Sequence, residues 1–145
     1  MKNIFLADDD VIDRELFEDA LQQLTIPTHL TQSEDGVELM TTLDKTVPPP
    51  PHAIFLDLNM PRKNGYECLA EIRNTHKLKD IMVVIFSTTD CQSAIEKSYL
   101  LGANYFICKP RSFQLLKKAI ETVLLMDQPS IGEKTSIDNF FLSLN

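Results

Sequence analysis

Ala53-Ile54-Phe55-Leu56-Asp57-Leu58-Asn59-Met60-Pro61, running on into Arg62-Lys63-Asn64-Gly65, is the stretch from which the architecture can be read. A short apolar run delivers one carboxylate, Asp57, and the chain then turns at Pro61 and Gly65. Apolar runs of this length, bounded by turn residues, suit strands buried on both faces, as in parallel sheets. Asp57 would then stand at the strand's carboxyl end, where open α/β sheets place their ligands. Alone, a strand-end aspartate is more often a helix cap or a turn former. Its meaning depends on what the rest of the chain brings to that edge.

Toward the N-terminus, Ile4 to Ala7 reads as a first buried strand ending in Asp8-Asp9-Asp10. Val11, Ile12, Leu16, Phe17, Ala20, Leu21 and Leu24 then recur at helical spacing, with Asp13, Arg14, Glu15 and Glu18 on other faces. Pro27 is expected to close that helix. A second strand, roughly His29 to Gln32, is expected mainly because a βα rhythm needs one. Ser33 to Gly36 leads into a helix carrying Val37, Leu39, Met40 and Leu43, and Pro48 to Pro51 form a stiff, extended connector.

Toward the C-terminus, Tyr66, Leu69, Ala70 and Ile72 mark a helix to about Asn74. Met82-Val83-Val84-Ile85-Phe86 is the strongest strand and ends at Ser87. A helix covers roughly Cys91 to Leu101 and stops at Gly102. Tyr105 to Cys108 form a last strand ending at Lys109-Pro110, and a helix follows from Ser112 to about Met126. Five strands alternating with five helices imply an α/β fold, a doubly wound parallel sheet covered on both faces.

The whole chain of 145 residues is 43% hydrophobic and 24% charged, ordinary values for one globular domain. Its net charge of −7 makes it a poor binder of nucleic-acid phosphates, and no nucleic-acid partner is expected. Three scattered cysteines do not suggest a disulfide framework, and three single histidines do not suggest zinc. No stretch reads as a signal peptide or a membrane span, so the expected location is cytoplasmic. Neither GxGxxG nor GxxxxGK[ST] occurs, which disfavours nucleotide-binding versions of the architecture.

The residues that follow the strong strands are Asp8-Asp9, Asp57, Ser87 and Lys109, all expected at one sheet edge. Each has a plain reading as a cap, a turn hydroxyl or a solvated cation, but their coincidence is harder to dismiss. Three nearby carboxylates repel unless a cation sits among them. Mg²⁺, a hard ion that takes carboxylate and phosphate oxygens, would relieve this. A carboxylate, a metal, a hydroxyl and an ammonium around one point are the components for moving a phosphoryl group onto the carboxylate.

On these residues the chain resembles the receiver domains of two-component response regulators. The matching features are Asp8-Asp9, the Asp57-Leu58-Asn59-Met60-Pro61 motif with Gly65, Ser87, and Lys109-Pro110, spanning about Asn3 to Met126. The wording from Leu56 to Gly65 looks especially like stand-alone receivers that work with phytochrome-type or related sensor histidine kinases. The resemblance implies a flavodoxin-like receiver fold over 1–126 and assigns roles. Asp57 would accept a phosphoryl group from a kinase or phosphotransfer-protein histidine. Asp9 would bind Mg²⁺ most directly, Asp8 mainly through water, and the backbone carbonyl of Asn59 would complete the protein ligands. Ser87 and Lys109 would bind the phosphoryl oxygens. Phe106 would be the aromatic switch residue, without the hydroxyl of the tyrosine many relatives carry, and Ser87 stands where threonine is commoner. Asn59 and Thr89 occupy positions that influence phosphate lifetime in receivers.

This reading makes the chain a switch rather than an enzyme, signalling through the fourth helix, fifth strand and fifth helix to a downstream protein. Residues 127–145 are too few for an output domain. Ile137 to Leu142 are more apolar than an idle tail needs to be; folding back, pairing in a homodimer and disorder are the alternatives, with packing expected first. The rival from another class is a haloacid-dehalogenase-type phosphohydrolase, whose D-x-D pattern would need an acid/base where Asn59 stands. A third reading is a receiver that works as a binding module without phosphorylation.

Overall fold

The computed structural model describes residues 1–89, 91–126 and 134–143. Five parallel strands, β1 (Lys2–Ala7), β2 (Thr28–Ser33), β3 (Ala53–Leu56), β4 (Val83–Ser87) and β5 (Tyr105–Cys108), form one sheet in the order β2-β1-β3-β4-β5. The order reverses between β1 and β3, and such a reversal opens a crevice beyond the carboxyl ends of the two strands. Asp8 and Asp57 are the residues that leave β1 and β3 there.

Strand residues that look continuously apolar in sequence divide between two cores. Phe5, Ile54, Leu56, Val83, Ile85 and Phe106 face a core with α2 (Gly36–Thr46), α3 (Gly65–Asn74) and α4 (Gln92–Leu100). Their neighbours Ile4, Leu6, Phe55, Val84, Phe86 and Ile107 face α1 (Val11–Gln22) and α5 (Phe113–Leu124) on the other side. Alternation with period two, both faces buried, is why the run around Asp57 carries no polar residue.

Side chains fix the helix starts. Asp10 accepts the Ile12 and Asp13 amides at 2.9 and 3.1 Å, and Asn64 and Glu67 form a reciprocal capping box on α3. Three details depart from the sequence expectation. Helix α1 ends at Gln22 through its own backbone bonds, well before Pro27, whose carbonyl instead accepts the Lys2 amide. Val11, Ile12 and Leu16, which share the helical spacing, are exposed, because only Phe17, Ala20 and Leu21 turn inward. The Pro48–Pro51 connector, expected to be extended, contains two cis bonds, Val47–Pro48 and Pro48–Pro49.

A short sixth helix, α6 (Ile137–Phe140), returns to the domain and buries Phe140 completely. Phe141 then forms a parallel bridge with Phe106 at the free edge of β5. Burial of such a ring contributes roughly 1.5–3 kcal/mol toward holding the segment in place. Of the expected 127–145 tail, residues 127–133 and 144–145 lie outside the described part. No helix among the described residues is long and apolar enough to cross a membrane.

Under the crevice, Phe17, Phe55 and Phe86 meet edge to face, with centroids 4.9 to 6.0 Å apart. Phe55 has no exposed surface, so Phe55→Ala should cost about 3–5 kcal/mol, read as a lower urea midpoint at unchanged slope.

Candidate functional site

The carboxyl ends of β1, β3 and β5 bring three side chains to one point. The Lys109 ammonium donates to Asp8 Oδ2 at 2.7 Å, Asp13 Oδ2 at 2.9 Å and Asp57 Oδ2 at 3.1 Å. Asp8 and Asp57 are buried at 2% and 6% exposure, so neither carboxylate is simply solvated. Asp9 is exposed, and one oxygen from each of Asp8, Asp9 and Asp57 lies within 4.8 Å of the others. That all-oxygen set fits a hard divalent cation such as Mg²⁺ or Mn²⁺.

Backbone contacts hold Asp57 in place. Its amide donates to the Ala7 carbonyl at 3.0 Å, tying the end of β3 to β1. The Gly65 amide donates to the Leu58 carbonyl at 2.9 Å, which folds the following loop back under the carboxylate. A Cβ on Gly65 would fall 2.3 Å from the Asp57 carbonyl oxygen, so this approach requires glycine. The glycine noted beyond the strand therefore serves the site directly.

The hydroxyl side of the site is arranged differently from the charged side. Ser87, fully buried at the end of β4, accepts the Thr89 amide on Oγ at 3.2 Å. It makes no hydrogen bond to Asp57 among the described residues; its hydroxyl is turned to its own loop. Its backbone carbonyl accepts the Lys109 amide at 2.9 Å, so the hydroxyl and the lysine are anchored to each other through β4–β5 pairing. Asn59 donates from its side chain to Thr89 Oγ1 at 3.2 Å, linking the loops after β3 and β4. Its amide reaches Asp57 Oδ1 at 3.4 Å, and its side chain is exposed at the rim. Phe106 sits one strand over from Ile85, fully buried.

Charge in this cleft is unevenly balanced. Burial pushes the Asp8 carboxyl up to about 6, even though Lys109 and the Asp10 amide both oppose the shift. Burial alone would lower the Lys109 pKa, but hydrogen bonds to Asp8 and Asp13 and the nearby Asp57 charge hold it above its ordinary value. One ammonium serves three carboxylates, and the excess negative charge is what a cation would relieve.

The sequence pattern puts Asp13 on an outer face of α1 and does not reveal its contact with Lys109. The available signal was its position in the first helical turn, since helical side chains lean toward the N-terminus and here toward the crevice. Arg14 was missed as well; its guanidinium donates to the Asp8 carbonyl at 2.7 Å and braces the β1–α1 turn.

A family model described as the response regulator receiver domain matches residues 4–121. The chain belongs to this family. Response regulator Rcp1 from Synechocystis sp. is 34% identical over 126 residues, 84% of this chain and 86% of that protein. A probable chemotaxis protein CheY from Rhizobium etli is 30% identical over 83% of this chain and 90% of its own length. Among solved structures, the Mn²⁺-bound form of Rcp1 superposes with a TM-score of 0.78 at 32% identity, covering 90% of this chain and all of that one. The phosphorylated cyanobacterial phytochrome response regulator RcpA gives 0.81 at 37% identity, covering 89% and 99%. The fold expected from the sequence, a flavodoxin-like doubly wound sheet, is the one observed.

The raised Asp8 pKa has a defined consequence for stability. A folded-state value of about 6 against an ordinary 3.8 means that the fold binds this proton more tightly than the unfolded chain. That contribution is present below the ordinary value and is lost as pH rises toward 6. Without divalent cation at neutral pH, Asp8→Asn should therefore stabilise the protein, by on the order of 1–3 kcal/mol. Mg²⁺ should raise the melting temperature of the parent and leave that of Asp8→Asn nearly unchanged. A lower metal-free melting temperature for Asp8→Asn would contradict the charge balance described.

Proposed function

We propose that this receiver accepts a phosphoryl group on Asp57 from a histidine of a sensor kinase or phosphotransfer protein, and that it works in the cytoplasm as a Mg²⁺-dependent switch. The observation that carries this reading is the Lys109 ammonium 3.1 Å from Asp57 and 2.7 Å from Asp8, beside the Asp8–Asp9–Asp57 oxygens. In the transfer, an Asp57 carboxylate oxygen forms the new P–O bond while the P–N bond to the donor histidine breaks, and the imidazole leaves with that electron pair. Mg²⁺ bound by Asp8, Asp9, Asp57 and the Asn59 carbonyl would supply positive charge against the phosphoryl oxygens. The relatives support the two halves of the proposal separately, since Rcp1 was solved with Mn²⁺ and RcpA in phosphorylated form.

Lys109 already lies against the acceptor and needs only to exchange a carboxylate oxygen for a phosphoryl oxygen. Asp8 and Asp13 give its ammonium two further partners, so the lysine stays positioned as Asp57 changes charge. Ser87 must turn its hydroxyl from the Thr89 amide toward the phosphoryl group, pulling the loop after β4 with it. Phe106, two residues before the Cys108 that pairs with Ser87, would take up the space released, passing the change to α4, β5 and α5. An acyl phosphate on Asp57 carries about −2 charge where the free carboxylate carries −1, a net gain of about −1 in a cleft already short of cations. That is why the cation and Lys109 are both needed.

The hydrolase alternative needs an acid/base two residues after Asp57. Asn59 stands there and is hydrogen-bonded to Thr89.

Incubation with Mg²⁺ and acetyl phosphate should add one phosphoryl group, seen by intact-protein mass spectrometry and abolished by EDTA. Asp57→Asn should gain none. Equal modification of parent and variant would remove Asp57 from the role, and continued turnover of phosphate beyond one equivalent would favour the hydrolase. Lys109→Ala should lower the yield of adduct by at least about tenfold, because one lost charge-assisted contact in a buried site is worth 1.5–3 kcal/mol.

A further inference from the structure

Strand β5 is the edge of the sheet, and its outer side offers unpaired backbone groups. The chain covers that edge with its own later residues. The Leu142 amide donates to the Phe106 carbonyl at 3.0 Å, and Phe141 pairs with Phe106 in a parallel bridge. Phe140, fully buried, lies edge to face with Tyr99 of α4 at 5.1 Å and with Phe106 at 6.3 Å. Phe141 stacks on Phe106 at 5.9 Å with 26° between the rings. Leu142 packs against the core on the α1–α5 side, so the segment straddles the sheet edge.

We propose that the groove between α4 and the edge of β5 is a peptide-binding site that this chain keeps filled with Phe140-Phe141-Leu142. A protein partner that offers an extended segment of two aromatic residues followed by an aliphatic one binds there by displacing the tail.

The geometry defines what such a segment must supply. The first ring fills the slot between Tyr99 and Phe106, the second lies flat on Phe106, and the third residue gives its amide to the Phe106 carbonyl. Main-chain pairing to a sheet edge gives affinity, and pockets for particular side chains give specificity. The Phe106 edge accommodates one such strand, so tail and partner exclude each other. The segment that makes these contacts is short. Helix α6 has four residues, its N-cap Ser136 makes no side-chain cap, and Phe141 remains 41% exposed. Beside the Phe140 burial and the Leu142 amide bond, tethering presents this short segment at an effective concentration in about the millimolar range. A weak ligand can then fill the groove in cis and still be displaced in trans. The inference uses the α4–β5 face named for the switch and none of the phosphoryl chemistry, so each can fail without the other.

The test is a fluorescence-anisotropy titration of a labelled synthetic peptide of residues 136–143 against the full-length protein. Parent chain should bind it at least about tenfold more weakly than Leu142→Pro, which removes the pairing amide and leaves every core ring in place. Phe140→Ala should show the same gain, with circular dichroism to establish that it is folded. A peptide with both phenylalanines replaced by alanine should lose at least about tenfold in affinity for Leu142→Pro. The same contrast is expected in an Asp57→Asn background. Equal binding to parent and Leu142→Pro, no binding to either, or indifference to the alanine replacements would overturn the proposal.

Discussion

The Lys109 ammonium is the contact on which the rest of the site depends. It reaches Asp8 from β1, Asp57 from β3 and Asp13 from α1, although it lies 101, 52 and 96 residues away from them in the chain. A buried carboxylate without a counter-charge would take up a proton or destabilise the fold, and two of these carboxylates are almost wholly buried. Lysine satisfies this with a single mobile charge that can change partners without leaving the cleft. Arginine would bind a carboxylate more rigidly in a planar fork, which suits a permanent pair better than a switch. The same ammonium that makes the resting acidic cluster tolerable is thus already beside the oxygen where new negative charge would appear.

The sheet topology explains why such a cluster exists. Reversal of strand order between β1 and β3 brings Asp8 and Asp57 to adjacent strand ends, and β4 and β5 extend the edge to Ser87 and Lys109. Both faces of the sheet are covered by helices, so the only place a polar group can stand at the end of these apolar strands is the crevice edge. Gly65 completes the arrangement from below by letting the loop after β3 close on the Asp57 backbone. The acidic pair, Asp57 and the lysine meet as a consequence of one architecture.

Most of this was legible in the chain because strands buried on both sides write themselves as unbroken apolar runs. Ala53 to Leu56, Val83 to Phe86 and Tyr105 to Cys108 are such runs, and the polar residues that follow them, Asp57, Ser87 and Lys109, stand at the crevice edge. Strand β2, half exposed at the other edge of the sheet, carries Thr28, His29, Thr31 and Gln32 and shows no such pattern. Its presence followed from connectivity alone. What sequence could not supply were contacts set by side-chain direction. Asp13 looks like a solvent-facing helix residue until α1 is docked, and Val11, Ile12 and Leu16 look like core until the same docking turns them outward. Helical period identifies a stripe but does not say where along the helix packing begins. The orientation of Ser87 was equally illegible, because a hydroxyl rotor chooses between its own loop and the cleft on local geometry.

Strand β5 joins these themes. Its last residue precedes Lys109, which pairs with the carboxylates of the crevice, while Phe106 in its middle faces the α4 core and meets Phe140 and Phe141 at the open edge. Between them lie only Ile107 and Cys108, and the backbone of this short strand is paired to β4 at each position from Tyr105 to Cys108. The Lys109 amide is itself bonded to the Ser87 carbonyl, so movement of the loop that carries the hydroxyl also pulls on the end of β5. A segment seated on Phe106 therefore rests on the backbone that the proposed switch would move. By linkage, any difference in how well that segment fits the two states of the strand would appear as an equal difference in the equilibrium of the proposed phosphorylation.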